Sequence, residues 1–446
     1  MKKYAYLALS ATLLTSLSFS QEEVNTSYWT GNTREGTSGW GLSSVAENWS
    51  TGTIPDANTN VVFDNEYLTG EKILSIHTTS GFTCNDYTVT SNYGGHQIRV
   101  DGTMTINGDF TTQTPGTVTL LSNGSNNSAA ILNIGGSVIV GVDGDITSNV
   151  SYLNIGETTS NQWGGWGGPK NVTIGGDIIM YELGKVSFNV NLKGRTADYS
   201  NPDIDVKGLI RFEGNGSTNT NLDIINASNP YISGDNKQYS IPVEVVLACN
   251  GISGNGVISN NSNGSLDNGA SKAILLLRND SDQYFAGWIQ DGQNCTTKIV
   301  MNGTATQYLT SVNKDPEKPT EGICFTGGLE IISGTLSMRY DHPINHGDLE
   351  MRGGKLKNDS VSSAWNVNFT NLIYEGGPIV SRWNGSNMDV ITLSGGLQKG
   401  AGFADGDKFL IEVAATDVSS LTDELIIAWD NAAQKTDFTG DDFEGT

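Results

Sequence analysis

The sequence predicts an all-β chain wound as a parallel β-helix, and three observations carry that expectation. From Gln21 onward hardly any stretch keeps a helical period; short runs of Val, Ile, Leu, Thr, Phe and Tyr alternate with polar residues between clusters of Gly, Asn, Asp and Ser. A unit recurs: LEIISGTL from Leu329, LEMRGGKL from Leu349, LIYEGGPI from Leu372 and ITLSGGL from Ile391. Inside that unit the apolar positions change parity. Leu329 and Ile331 are odd while Leu336 and Met338 are even; Leu349 and Met351 are odd while Leu356 is even; Leu372 and Tyr374 are even while Ile379 is odd.

A strand with one buried face alternates with period two, so a parity change at glycine marks a corner beyond which a second strand again turns its apolar side chains inward. ITLSGGL lacks the change at Leu397. Stacking coil on coil is expected to align Leu329, Leu349, Leu372 and Ile391 in one interior ladder, and Ile331, Met351, Tyr374 and Leu393 in the next. MTINGDF from Met104, LNIGGSV from Leu132, VTIGGDI from Val172 and IDVKGLI from Ile204 share the grammar at wider spacing, which leaves room for an extra rung or a loop. Coils of roughly 20 residues stacked about 4.8 Å apart give a rod on the order of 90 Å long. The competing architecture is a pair of antiparallel β-sandwiches, whose turn signals recur every ~10 residues without a shared motif.

In chain order, residues 1–20 (MKKYAYLALSATLLTSLSFS) read as a secretory signal: Lys2 and Lys3, an apolar stretch, then Ser18 and Ser20 before a cleavage point ahead of Gln21. No later segment is apolar enough to span a bilayer as a helix. Residues 21–70, with Trp29, Trp40, Trp49 and Pro55, are expected to form an N-terminal cap. Residues 71–400 form the β-helix, and GDKFLIEVAA and DELIIAWD within 401–446 supply C-terminal capping strands, complete or truncated. Caps are needed because a terminal coil exposes apolar surface and unpaired strand edges.

Composition narrows the function classes. The 446 residues include 55 Gly, only 16% are charged, and the formal net charge is -23. Such a surface repels phosphate backbones and anionic lipid, which argues against nucleic acid as a partner. Export permits disulfides among Cys84, Cys249, Cys295 and Cys324; Cys295 and Cys324 are the closest pair, but all three pairings stay open.

The stretch IVMNGTATQYLTSVN (299–313), followed by FTGGLEIISGTLSM (325–338), resembles the autotransporter-associated β-strand repeat, with AILLLRNDSDQYFAGWI (273–289) as a weaker copy. YWTGN and AENWSTGTIPDANTNVVFDN (46–65) are similar to the opening of large secreted proteins carrying such repeats. The resemblance implies a right-handed β-helix exported to the cell surface or medium, with no catalytic residues to carry over. Proteins of this kind usually end in an outer-membrane barrel or a sorting tail; DFTGDDFEGT carries neither, so the expectation is either release or a longer chain.

Four segments carry residue types with chemistry to offer. The segment 201–214 sets Asp203, Asp205, Lys207 and Arg211 on outward positions beside inward Ile204, Val206 and Ile210; as in polysaccharide lyases or hydrolases, they could bind Ca²⁺ and an acidic sugar, or simply be the polar side of an alternating strand. Trp163 and Trp166 in NQWGGWGGPKN offer indole platforms for polysaccharide or cell-surface glycans, or a cover for apolar surface. His342 and His346 in DHPINHGD are metal-ligand types in a loop that Pro343 keeps from becoming a helix. DGDK (405–408) offers a partial Ca²⁺ loop or a turn. With no GxSxG, HExxH or GxxxxGK[ST], the sequence favours a non-enzymatic structural or adhesive display role over a β-helix polysaccharide lyase or hydrolase, and over a glycan-binding β-sandwich.

Overall fold

A computed structural model describes residues 24–33, 41–70, 74–76, 81–100, 102–121, 130–144, 150–156, 169, 171–188, 197–214, 220–224, 244–260, 271–292, 295–311, 322–339, 342–358, 365–383, 387–415, 426–429 and 437–445. Among them the chain is β throughout apart from two short 3-10 turns, and every pairing between strands is parallel, as coil-on-coil stacking requires.

A typical coil contributes three strands. Ile131–Ile134 lies on the first face, Val138–Val140 on the second and Ser151–Ile155 on the third; the next coil repeats them as Asn171–Ile174, Ile178–Met180 and Lys185–Phe188. Leu132 sits beside Met104 and Val172, and Val172 beside Ile204, so the early motifs are successive rungs and their wide spacing is taken up by loops. The second face is unbroken over fifteen strands, from Asn25–Tyr28 to Phe443–Gly445. At about 4.8 Å per rung this makes a rod of roughly 70 Å, shorter than the expected length because each coil carries a third strand and its loops. The third face is a ten-stranded sheet ending at Ile323–Cys324 and a four-stranded sheet starting at His342–Asn345.

The corners behave as parity demands. Leu329, Ile331, Leu336 and Met338 are all fully buried on one strand, and Gly334 between them holds φ at +74°, with Met301, Gly303 and Ala305 crowding the place a Cβ would take. Leu349, Met351, Leu356, Leu372, Tyr374 and Ile379 are likewise buried. The predicted ladder runs Leu329, Leu349, Leu372 and then Leu397, not Ile391. Ile391 belongs to the third face, between Val367 and Ile427, because ITLSGGL straddles the corner from the third face to the first. Its glycines therefore sit one corner earlier than in the other copies, which explains the missing parity change.

A column of acidic side chains stitches the corner between the first two faces. Asp86 accepts the Asp109 N–H at 2.9 Å, Asp109 the Ser137 N–H at 2.7 Å and Asp177 the Leu209 N–H at 2.8 Å, each one coil further on. The ends are filled by rings: Trp29 meets Trp49 edge-on at 4.9 Å, and Phe409 stacks on Tyr374 at 4.1 Å with Phe438 and Phe443 beside it. Aromatic side chains bury the most area per residue where a core must stop. Trp40 lies outside the described residues.

Candidate functional site

The outer side of the first face, from Ile204–Val206 to Leu349–Arg352, carries the densest charge chemistry in the described structure. The four carboxylate and basic residues singled out in 201–214 do not converge on one point. Asp203, expected to face outward, is buried, and its Oδ2 accepts the Val246 N–H at 2.9 Å from the following coil. Asp205 is held by Lys207 Nζ at 2.5 Å and Arg278 Nη2 at 2.7 Å, and Arg278 also donates to the Val206 carbonyl. Arg211 lies beyond the Gly208 corner on the second face, paired with Glu213 and, at 3.4 Å, with Asp177.

The electrostatics follow from these pairs. Burial raises the Asp205 pKa, but hydrogen bonds from Lys207 and Arg278 and their charges outweigh it and hold the carboxyl below its usual range. Burial lowers the Arg211 pKa, and Glu213 and Asp177 more than restore it. A carboxylate stabilised in its charged form is a weak general base, and a guanidinium between two carboxylates has little charge left for an acidic sugar.

Beyond Asp205 the strands stop alternating. Glu244–Cys249 and Ser271–Leu277 are buried on both faces, and Val246, Ala248, Ile274, Leu276 and Val300 form a second apolar cluster outside the coil wall. Ala197, Tyr199 and Ile332 pack on it, so residues 197–199 lie as a strap across the coils that follow. The strap is tied at both ends. The Ala197 N–H donates to Glu244 at 3.0 Å, and the Tyr199 hydroxyl donates to Glu330 at 2.9 Å. Glu330, itself 3% exposed, also meets Lys298 Nζ at 2.7 Å and Arg352 Nε at 2.8 Å, while Glu350 pairs with Lys298 at 3.0 Å and Arg352 at 2.8 Å. Burial pushes the Tyr199 phenol up to about 12, against the pull of Lys298; the Lys298 ammonium, which burial alone would weaken, is held charged by Glu330 and Glu350. A neutral phenol and a permanently charged lysine make a clamp. Sequence reasoning missed this feature, although the uninterrupted runs EVVLAC and AILLL already broke the alternation that marks a one-sided strand.

His346 is fully buried, its Nδ1 2.9 Å from the Phe325 carbonyl oxygen and its ring between Phe325 and Phe369. It is packed as a core side chain. His342 begins a third-face strand and pairs by its backbone with Val367. Among the described residues no group of three or more His, Cys, Asp or Glu could hold a metal ion, and in the DGDK turn Asp407 accepts the Ala404 N–H at 2.7 Å. Trp163 and Trp166 lie outside the described residues. The four cysteines are buried free thiols distributed along the core. A cavity of about 80 Å³ beside Gln113, Pro115, Gly141, Val142, Ser151 and Glu182 is well below the hundreds of Å³ of a ligand pocket. Among the described residues no helix is long and apolar enough to cross a membrane.

Compared with protein-family models, with curated proteins and with solved structures, the chain matches none.

Proposed function

We propose that the chain is an exported, non-enzymatic β-helical protein of the cell surface or medium, with a structural and adhesive display role. The observation that carries this reading is the state of the outward charges on the first face: Asp205, Lys207, Arg278, Lys298, Glu330, Glu350 and Arg352 are each engaged with one another. Such a surface stiffens a rod and presents no poised acid or base. The signal-like N-terminus and the resemblance of 299–313 and 325–338 to autotransporter-associated repeats support export to the cell exterior.

Two measurements test it together. Cell fractionation should recover the protein outside the cytoplasm, and deletion of residues 1–20 should retain it inside. The purified chain should release no products from uronic-acid polymers; turnover abolished by Lys207→Ala would replace the display reading with that of a lyase.

A further inference from the structure

We propose that two stacked tyrosine pairs on the outside of the rod, Tyr284 with Tyr308 and Tyr28 with Tyr67, are sites of oxidative coupling, each becoming a dityrosine that ties neighbouring segments together by a carbon–carbon bond. The inference goes beyond the display reading and stands on the geometry of the pairs.

Among the described residues the exposed tyrosines are Tyr67 and Tyr284, at 41% and 59%, and each lies against a second tyrosine. Tyr284 stacks on Tyr308 with ring centres 4.3 Å apart and planes within 2°; Tyr67 stacks on Tyr28 at 3.8 Å and 14°. Parallel rings this close put carbons of one phenol in van der Waals contact with those of the other. Register fixes the first pair. In Gln283–Phe285 the side chain of Phe285 is buried, so Tyr284 points out, and the parallel ladder sets it beside Tyr308 of the next coil. In the second pair, Tyr28 ends the strand Asn25–Tyr28, and Tyr67 comes from the turn after Thr59–Phe63, the strand paired with it.

The oxidant is hydrogen peroxide acting through a haem peroxidase. Each phenol gives up one electron and one proton, the peroxide O–O bond breaks, and its oxygens leave as two waters. The two phenoxyl radicals join at ring carbons ortho to oxygen, and the hydrogen on each joined carbon moves to its oxygen. Two phenols and one peroxide thus become one dityrosine and two waters. Asp282 Oδ2 accepts the Tyr308 hydroxyl at 3.4 Å and is placed to take its proton. The Lys357 ammonium, 5.1 Å from the Tyr308 ring centre, opposes a radical cation and so favours loss of electron and proton together. Competing reductants are shielded, because the four thiols and all the methionines among the described residues are buried.

The test treats the dilute purified chain with peroxide and a haem peroxidase, then maps tryptic peptides by mass spectrometry. Cleavage after Arg278, Lys298 and Lys314 puts Tyr284 and Tyr308 on separate peptides, and cleavage after Arg34 and Lys72 does the same for Tyr28 and Tyr67. Each pair should yield one joined peptide, two hydrogens lighter than its parts, from protein that still runs as a monomer. Tyr284→Phe, which keeps the stacked ring, should abolish the first joined peptide and leave the second; Tyr67→Phe should do the reverse. Oxidation should also raise the urea midpoint of the wild type and not that of the double variant, since a cross-link restricts the unfolded chain. Tyrosine consumed without either joined peptide, coupling only between molecules, or a first joined peptide that persists in Tyr284→Phe overturns the proposal. Appearance of one joined peptide without the other keeps that pair and overturns its counterpart.

Discussion

At Gly175 a Cβ would stand 2.1 Å from the Gly135 carbonyl oxygen, because successive corners on this edge nest backbone against backbone. Gly175→Ala should therefore lower stability by ~1–3 kcal/mol, measured by urea unfolding, although the residue is nowhere near a candidate site. The neighbouring acidic column makes a second residue-level claim. Removing the Asp109 carboxylate strands the Ser137 N–H, so Asp109→Ala should cost about 1–3 kcal/mol and Asp109→Asn much less, since the amide oxygen still accepts. The cysteines give a third. Burial pushes the Cys249, Cys295 and Cys324 thiols up to about 12 and that of Cys84 higher still, so a thiol reagent at neutral pH should label none in the native protein and all four after unfolding. Fewer than four labelled in denaturant without reductant would reveal a disulfide and displace the reading of four free thiols.

Among elements, the strap over the second apolar cluster sets the strongest energetic expectations. Glu330→Ala would leave Lys298, with 11% of its side chain exposed, short of its closest partner and should destabilise by ~3 kcal/mol; Tyr199→Phe, which loses one hydrogen bond to a charged group, should cost nearer 1.5 kcal/mol. Acid should loosen the same region. Burial raises the Glu350 pKa, but Arg352 and Lys298 outweigh it and hold it below its ordinary value, as Lys207 and Arg278 do for Asp205. Carboxyls depressed in the folded state contribute stability that is full above their unfolded pKa, near 4, and is lost as pH falls through the lower folded value. The melting temperature should decline below about pH 4, and less steeply in Glu350→Gln; an unchanged slope would remove that carboxylate from the acid response.

For the whole molecule, the fold was legible because its rule is periodic: a parity change at Gly334 reads the same from sequence and from burial. What the letters hid was which corner a motif occupies. ITLSGGL looks like its sisters, yet turns from the third face to the first, and only the register with Leu372 and Val367 distinguishes them. Site residues were harder still. Asp203 alternates like an outward side chain, but a backbone N–H from a strand 43 residues away claims it, and no local pattern announces such a partner.

The third face changes sheets between Ile323–Cys324 and His342–Asn345, while the other two continue past that level. Hydrogen bonds in a parallel coil point along the rod, so a pull on the two ends loads every rung in series, and within one rung the faces share the force side by side. Among the described residues, two ladders carry at that level what three carry in the coils before it. A molecule tethered at both ends and stretched should yield there first, hinging toward the two intact walls and leaving the N-terminal part of the rod as the longer of its two halves.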